Sequence, residues 1–340
     1  MDLKNLYPYI VAAFLLAVIL FGEVIVATNS HDDYTTSIEV DGNRIDFEIE
    51  SDNAHTYDVV AIDNTFGNAE MVYIYYDPDY ESAAKNGKAS MGARALDEEY
   101  YVEEMFPTLK VRDVTNVKTT DAEKLGEIMS QSGKGIVVVT LSGSLPDTVY
   151  NGDANDPVFD WMNSGGRLYW VGNIVGKYVS HQDSIEEVNR TDLFLGASDC
   201  VDEYFHTAHR DYEGNSFRHD LFFQGNWTTY GVIESKIPED VNYQCMGYYD
   251  GERASITMVS HGEGMVCVVA GEYSIRQRND LAQLIASGAG PDSVVVRHVS
   301  GSVYGTERGT IELTETEHVD SVFIQLGGAY TVYCRNHEVE

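Results

Sequence analysis

The stretch that decides the fold is Ile136–Gly176, IVVVTLSGSLPDTVYNGDANDPVFDWMNSGGRLYWVGNIVG. It begins with a fully apolar run, residues 136–141, which is typical of a central strand buried on both faces. Asp156-Pro157 then predicts the start of a short helix, and Gly165-Gly166 predicts its end. Residues 167–171 follow as a second apolar strand. This order of elements predicts two parallel strands joined by a covering helix.

The same alternation of strands and helices continues on both sides of this stretch. The predicted strands are Met71–Tyr76, Leu109–Thr115, Ser255–Ser260 and Met265–Ala270. The predicted helices are one near Ala93–Phe106 that Pro107 ends, one after the capping box Thr120–Glu123, and Asn279–Ala286. We therefore predict an α/β domain at residues 70–290, with a doubly wound, mostly parallel, flavodoxin-like sheet and an insertion at about 180–250.

The two ends of the chain are rich in alternating apolar residues instead. Ser37–Glu50 alternates about an Asp-Gly turn and predicts a β-hairpin. Short strands with Gly-rich turns are predicted between Ser293 and Cys334. An isolated hairpin is at best marginally stable. We therefore expect the region 31–69 to pair with a C-terminal β domain at 291–340, forming a small β-sandwich from both termini.

An apolar N-terminal run, Leu6–Ala27, is long enough to span a bilayer, which takes about 20 residues. Lys4 precedes it and Asp32-Asp33 follow it, a charge order that directs the N-terminus to the cytoplasm. We predict a single-pass signal anchor in the cell membrane, with residues 1–30 as cytoplasmic tip and transmembrane helix and the rest of the chain outside. A signal peptide cleaved after Ala27 and a buried helix are the alternatives.

The charge of the chain is strongly negative, with 55 acidic against 22 basic residues and a net charge of -33. Such a surface repels phosphate backbones and anionic lipid headgroups, so nucleic acid is not an expected partner. Excess acid with little lysine also fits an archaeal surface protein in a salty medium.

Cysteines and glycosylation patterns fit an exported domain. The four cysteines form no CxxC pair, so they indicate either disulfides of open connectivity or, for the thiol within residues 265–270, a buried small hydrophobe. They are Cys200, Cys245, Cys267 and Cys334. Asn189 and Asn226 begin N-glycosylation patterns.

Ile136–Gly176, together with Gly262–Gly288 (GEGMVCVVAGEYSIRQRNDLAQLIASG), resembles the class I glutamine amidotransferase-like superfamily. That superfamily includes membrane-associated members of unknown function and the domain in the non-catalytic oligosaccharyltransferase subunit. The resemblance covers residues 70–290 and implies the same fold for this chain.

Catalytic members of that superfamily carry a nucleophilic cysteine in a G-x-C-x-G elbow and a histidine after a later strand. The matching elbow here has an aliphatic residue at the nucleophile position: Gly172, Asn173, Ile174, Val175, Gly176. Residues 271–274, after the later strand, contain no histidine. The resemblance therefore implies a pseudoenzyme without amidotransfer activity.

The carboxyl ends of parallel strands are where doubly wound folds bind ligands. The candidate ligand rim there consists of Asp77, Asp79, Ser142, Ser144, Asn173 and Glu272. Asp77-Pro78-Asp79 has oxygen ligands suited to a divalent cation, although Asp and Pro are also ordinary turn residues.

A second candidate site lies in the insertion, in the segment HTAHRDYEGNSFRHD. Its imidazoles and carboxylates are zinc ligands, although their spacing matches no metalloprotease motif and solvated loop histidines are the alternative. The metal candidates are His206, His209, Asp211 and His219. The aromatic residues around them would either stack on sugar rings or form the core of the insertion.

These patterns lead to two functional hypotheses. The first is a membrane-anchored, extracytoplasmic, non-catalytic module without a cofactor that binds a glycan, a peptide or a membrane protein at the cell surface. The second is a metal-dependent hydrolase that uses the cluster of His206, His209 and His219.

Overall fold

The structure is a computed structural model that describes residues 25–31, 34–86, 98–207, 227–248, 252–270, 275–326 and 329–335. It divides into two compact units. Unit 1 combines the described residues up to Asp63 with those from Val295 onward, and unit 2 runs from Asn64 to Val294. The two ends of unit 2 meet, because the Thr65 amide donates to the Ser293 hydroxyl at 2.8 Å.

The strands are β1 (Ile25–His31), β2 (Tyr34–Asp41), β3 (Arg44–Asp63), β4 (Met71–Tyr75), β5 (Val117–Thr120), β6 (Ile136–Thr140), β7 (Leu145–Pro146), β8 (Arg167–Val171), β9 (Tyr178–Ser180), β10 (Ile185–Glu187), β11 (Val201–Thr207), β12 (Trp227–Ile233), β13 (Tyr243–Met246), β14 (Arg253–Ala254), β15 (Ile256–His261), β16 (Gly264–Val269), β17 (Val294–Glu312), β18 (Ser321–Leu326) and β19 (Ala329–Arg335). The α-helices are α1 (Glu98–Lys110), α2 (Ala122–Met129), α3 (Pro157–Asn163), α4 (Asp192–Leu195) and α5 (Ile275–Ser287), and Glu234–Lys236 forms a 3₁₀-helix.

Unit 1 contains a six-stranded sheet in the order β1-β2-β3-β18-β19, with β17 also paired to β3. The first half of β3 pairs antiparallel with β2, where Phe47 faces Ile38, and its second half pairs antiparallel with β18, where Val60 faces Phe323. The predicted β-sandwich is therefore wrong, because the strands from both termini join one sheet. Alternation along β3 buries Ile45 and Phe47 in an apolar cluster with β18 residues such as Ile324.

The main sheet of unit 2 has seven strands in the order β13-β15-β16-β8-β6-β4-β5. The five strands from β16 to β5 are parallel, whereas β15 runs antiparallel to β16, and β13 antiparallel to β15. The predicted fold, a doubly wound, mostly parallel sheet, is therefore wrong for the chain as a whole: winding in two directions is confined to these five strands, the sheet is mixed, and the chain also builds two three-stranded sheets and the sheet of unit 1. The physical reason is the tight turn at Gly262 (φ 57°), which returns the chain as a hairpin instead of crossing over.

The two faces of this sheet are covered by different helices. Helices α2 and α3 share one apolar cluster with alternate strand residues, among them Val138 and Leu168. Helices α1 and α5 pack against each other, and their buried residues are not part of that cluster. Because Val139 and Tyr169 on the opposite face are also fully buried, we assign α1 and α5 to that face.

Three local predictions between residues 93 and 123 need correction. Pro107 lies inside α1 instead of ending it, since the burial of Met105 and Leu109 stabilises the last turn. The predicted strand 109–115 is wrong, because the chain first turns at Asp113 (φ 62°) and only then forms β5. The N-cap of α2 is Asp121, not Thr120, since the Asp121 carboxylate accepts the Lys124 amide hydrogen bond.

The predicted transmembrane anchor is also wrong where the structure can test it. Residues 25–27, the end of the predicted helix, belong to strand β1, and residues 6–24 lie outside the described residues. Among the residues that the structure describes, no helix combines the length and the apolar character needed to cross a bilayer. The predicted single-pass location therefore has no support.

Candidate functional site

The parallel strands of unit 2 change winding direction between β4 and β6. Strand β4 pairs with β5 on one side and with β6 on the other. The chain passes from β4 to β5 through α1 and from β5 to β6 through α2, on opposite faces of the sheet. In parallel sheets such a switch point opens a crevice at the carboxyl ends of the strands, where ligands bind.

Four polar side chains lie together beside the carboxyl ends of β4 and β6, and we call them the His181 cluster: Tyr80, Asp147, His181 and Glu186. The Asp147 carboxylate lies 2.8 Å from Nδ1 of His181 and accepts the Tyr80 hydroxyl hydrogen bond at 3.1 Å. On the other side of the ring, Nε2 of His181 lies 3.5 Å from the Glu186 carboxylate. The cluster is a chain of hydroxyl, carboxylate, imidazole and carboxylate.

Strand register brings Asp147 and His181 together. Strands β7 and β9 pair in parallel, with Pro146 opposite Ser180. Asp147 is the residue directly after β7, and His181 is the residue directly after β9. The Asp147 amide donates to the Ser180 carbonyl at 3.0 Å, which continues the ladder to this position. Glu186 reaches the same place because β10 returns antiparallel to β9.

The loop after β4 is held across the ends of the neighbouring strands. The Glu81 amide donates to the His181 carbonyl at 2.8 Å, and the Ala84 amide donates to the Ser142 carbonyl at 3.2 Å. These bonds fix the backbone on both sides of Tyr80. The loop therefore positions the Tyr80 hydroxyl towards Asp147.

Carboxylates dominate the electrostatics around the cluster. Burial, the charge of Asp147 and the hydrogen bond to it raise the pKa of Tyr80, and the charge of Asp77 adds to this. Burial, followed by the charges of Asp77 and Glu98, raises the pKa of the nearby Tyr75 hydroxyl. Burial also raises the pKa of Glu98. The site therefore favours cationic or hydroxyl-bearing ligands over anions.

The described part of the predicted ligand rim lies at this edge, and apart from Asp79, which is exposed, its side chains form hydrogen bonds within the protein. Asp77 accepts the amide hydrogens of Ala122, at the start of α2, and of Asp79, at 3.0 and 2.9 Å. Ser142 and Ser144 are fully buried, and the Ser142 hydroxyl donates to the Ser144 carbonyl at 2.9 Å. Glu272 lies outside the described residues. That these residues bind a ligand remains a prediction.

The elbow at residues 172–176 follows β8 as a turn with two glycines of positive φ, 104° at Gly172 and 71° at Gly176. Asn173 is buried, and its side-chain oxygen accepts the Ile174 amide hydrogen bond at 2.6 Å. Ile174 packs against the apolar core. These side chains supply turn geometry and packing, and an aliphatic residue cannot act as a nucleophile.

The predicted metal cluster falls mainly outside the described residues. The backbone of His206 pairs with Thr228 in the β11–β12 ladder, whereas His209, Asp211 and His219 are not described. The metal site stays a prediction. Among the residues that are described, no group of three or more His, Cys, Asp or Glu side chains is arranged to hold a metal ion.

The remaining predicted residues are the two glycosylation candidates and the cysteines. Asn189 is exposed, and its amide donates to Glu187 at 3.0 Å, whereas Asn226 lies outside the described residues. Three cysteines are buried free thiols, and burial raises the pKa of each: Cys200, Cys245 and Cys267.

No protein-family model and no curated protein matches the chain. Solved structures with a similar arrangement include a β-galactosidase from Bacillus circulans sp. alkalophilus, with TM-score 0.40 and 14% identity over 66% of this chain and 32% of that one. A β-galactosidase from Rahnella sp. R3 has TM-score 0.39 and 13% identity over 73% of this chain and 42% of that one. An exo-β-1,4-mannosidase from Opitutaceae bacterium strain TAV5 has TM-score 0.36 and 13% identity over 65% and 34%.

The predicted membership of the glutamine amidotransferase-like superfamily is corrected, since no family model matches the chain and the solved structures named above are glycosidases. The mixed sheet of unit 2 departs from the predicted fold as well. This chain spans less than half the length of each of the three glycosidases, and at such identities and TM-scores the likeness assigns it no activity.

Proposed function

We propose that this chain is a carbohydrate-binding module and that the His181 cluster at the β4–β6 switch point is its binding site. The observation that carries the proposal is the linked arrangement of Asp147, His181 and Glu186 at the carboxyl ends of the strands, half-exposed and fixed by backbone hydrogen bonds. Preformed polar groups beside a switch point are typical of ligand sites.

The chemistry of the cluster suits sugar hydroxyls. Carboxylates accept hydrogen bonds, and Nδ1 of His181 donates to Asp147, which leaves Nε2 facing Glu186 at the open side. The half-buried ring of Tyr80 adds an apolar surface with a polar tip. The surrounding carboxylates disfavour phosphorylated ligands. A neutral polyol satisfies these acceptors without a charge penalty.

Binding fits the geometry better than hydrolysis. Glycoside hydrolysis uses two carboxyl groups on either side of the scissile bond. Here Asp147 and Glu186 both contact one imidazole, and Asp147 also accepts from Tyr80. Asp147 is thus committed to orienting His181 instead of facing a substrate.

Titration calorimetry of the full chain tests the proposal, with the methyl glycosides of glucose, galactose and mannose as probes. We expect saturable binding of at least one glycoside and its loss in His181→Ala. The matched control is Glu263→Gln, which removes an exposed charge at the β15–β16 turn, beside the opposite ends of the parallel strands. Absence of binding by the unmodified chain, or equal binding by His181→Ala, contradicts the proposal.

A further inference from the structure

We infer that Nε2 of His181 and the carboxylate of Glu186 form one recognition pair for two neighbouring hydroxyls of a sugar ring, a vicinal diol. This inference rests on the proposed function and names the feature of the ligand that the site selects. It makes Glu186 a specificity-determining residue that contacts the ligand.

The two carboxylates that flank the imidazole are held very differently. Asp147 lies at 2.8 Å from Nδ1, with a third of its side chain exposed, and is fixed by Tyr80 and by its own backbone bond to Ser180. Glu186 lies at 3.5 Å from Nε2, and 66% of its side chain is exposed. One carboxylate therefore orients the ring, and the other is free to move away from it.

Nε2 and the Glu186 carboxylate lie 3.5 Å apart, and both are hydrogen-bond acceptors when the ring carries its proton on Nδ1. Two neighbouring acceptors of this kind can each accept a hydrogen bond from one ligand. Glu186 belongs to the three-residue strand β10, and its exposed side chain can adjust to a ligand without disturbing the Asp147–His181 bond.

The separation of these two groups matches a vicinal diol. The oxygens of adjacent gauche hydroxyls lie about one hydrogen-bond length apart, so each can donate to one of two acceptors that are slightly further apart. When the ring carries its single proton on Nδ1, where it donates a hydrogen bond to Asp147, Nε2 is one acceptor and the Glu186 carboxylate is the other. A sugar that lacks one of the two hydroxyls forms one hydrogen bond fewer with this pair.

The test is a double-mutant cycle in which the mutation Glu186→Gln is combined with the removal of one ligand hydroxyl, run at pH 8, above the range in which histidine side chains usually titrate. The ligands are the methyl glycoside that binds and its monodeoxy analogues. The proteins are the unmodified chain and Glu186→Gln, with Asp183→Asn as a control that removes an exposed charge in the turn between β9 and β10.

We expect the unmodified chain and the control to bind one of the deoxy analogues about tenfold more weakly than the parent glycoside, as the loss of a hydrogen bond to a charged group predicts. Glu186→Gln should bind the parent about tenfold more weakly and should no longer distinguish the two ligands. Such coupling between the mutation and the missing hydroxyl is the signature of direct contact.

Two failures are distinguishable. If the glycoside binds and is lost in His181→Ala, but Glu186→Gln discriminates as the unmodified chain does, the recognition pair is overturned and the proposed function stands. If no glycoside binds the unmodified chain, both are overturned.

Discussion

The Asp147 carboxylate and Nδ1 of His181 lie 2.8 Å apart on two strands that end in register, beside the carboxyl ends of β4 and β6. Their contact is fixed by backbone pairing, because the Asp147 amide also donates to the carbonyl of Ser180, the residue before His181. The carboxylate thereby determines which ring nitrogen carries the proton.

Replacing Asp147 by Asn should abolish glycoside binding, since an amide no longer holds the proton on Nδ1. The free energy of unfolding should fall by about 1 to 2 kcal/mol, because two hydrogen bonds to a charged group are lost at a half-exposed position. Calorimetry measures the first effect and urea denaturation the second. Full binding by Asp147→Asn contradicts the orienting role.

Tyr80→Phe removes the hydroxyl that donates to Asp147 at 3.1 Å and leaves the ring in place. We expect weaker glycoside binding, by about threefold to tenfold, with stability changed by about 1 kcal/mol or less. A matched comparison is Tyr304→Phe on the exposed part of β17 in unit 1, where the residue is 78% exposed. Equal affinities of Tyr80→Phe and the unmodified chain exclude a role for this hydroxyl.

Stability should depend on pH through Glu98, the buried first residue of α1 whose carboxylate accepts from Ser82 at 3.1 Å. Burial raises its folded-state pKa above the ordinary 4.5, so its contribution to stability is fully present below the unfolded pKa and is lost as the pH rises through the folded pKa. Glu98→Gln should therefore be more stable than the unmodified chain at pH 7 and equal to it near pH 4.

Melting temperatures between pH 4 and pH 7 check this prediction. Glu99→Gln, which removes the neighbouring exposed carboxylate, serves as the control. A difference between Glu98→Gln and the unmodified chain that stays constant over this range contradicts it.

Ile324→Ala should destabilise unit 1 by about 2 to 5 kcal/mol, as is usual for truncation of a fully buried aliphatic side chain. Ile324 is 1% exposed and packs in the cluster that contains Ile45 and Phe47. Hydrogen exchange should show lost protection across residues 45–49, whereas Ser302→Ala on an exposed position should leave it intact. Unchanged protection in Ile324→Ala would show that the hairpin is stable without β18.

Metal removal separates the proposed site from the predicted metal cluster around His206. The His181 cluster binds through hydrogen bonds, so EDTA treatment should leave the glycoside affinity unchanged. An affinity that falls with EDTA and returns with zinc would favour the metal-dependent hydrolase instead, and elemental analysis of His206→Ala would then locate the ion.

The sequence predicts the central strands of unit 2 well, and for a clear reason. Residues 136–139, 168–171 and 265–269 are continuous apolar runs, which are typical of strands covered on both faces. The mixed topology of the sheet was harder to predict, since an apolar run does not show whether the next strand returns by a hairpin or by a crossover. The sequence signal for the hairpin was the segment His261-Gly262-Glu263-Gly264, because so short a connection cannot contain a crossover helix.

The candidate site could not be predicted in the same way. Asp147 and His181 are 34 residues apart and meet through β7 and β9, strands of two and three residues that have no periodic pattern. Tyr80 and Glu186 join them from two further segments. The predicted rim residues, by contrast, follow long strands that are easy to recognise, yet Asp77 caps a helix and Ser142 is buried.

The meeting of Thr65 and Ser293 has a consequence for biosynthesis. Unit 2 is a continuous segment with adjoining ends, and along the sequence it lies between β3 and β18, which pair with each other in unit 1. On the ribosome, unit 2 therefore emerges complete while β3 still lacks its C-terminal partner. In the nascent chain, β3 keeps an unpaired edge until β18 has been synthesised, so the sheet of unit 1 is completed last. Premature termination after unit 2 would leave that edge exposed and the product prone to aggregation.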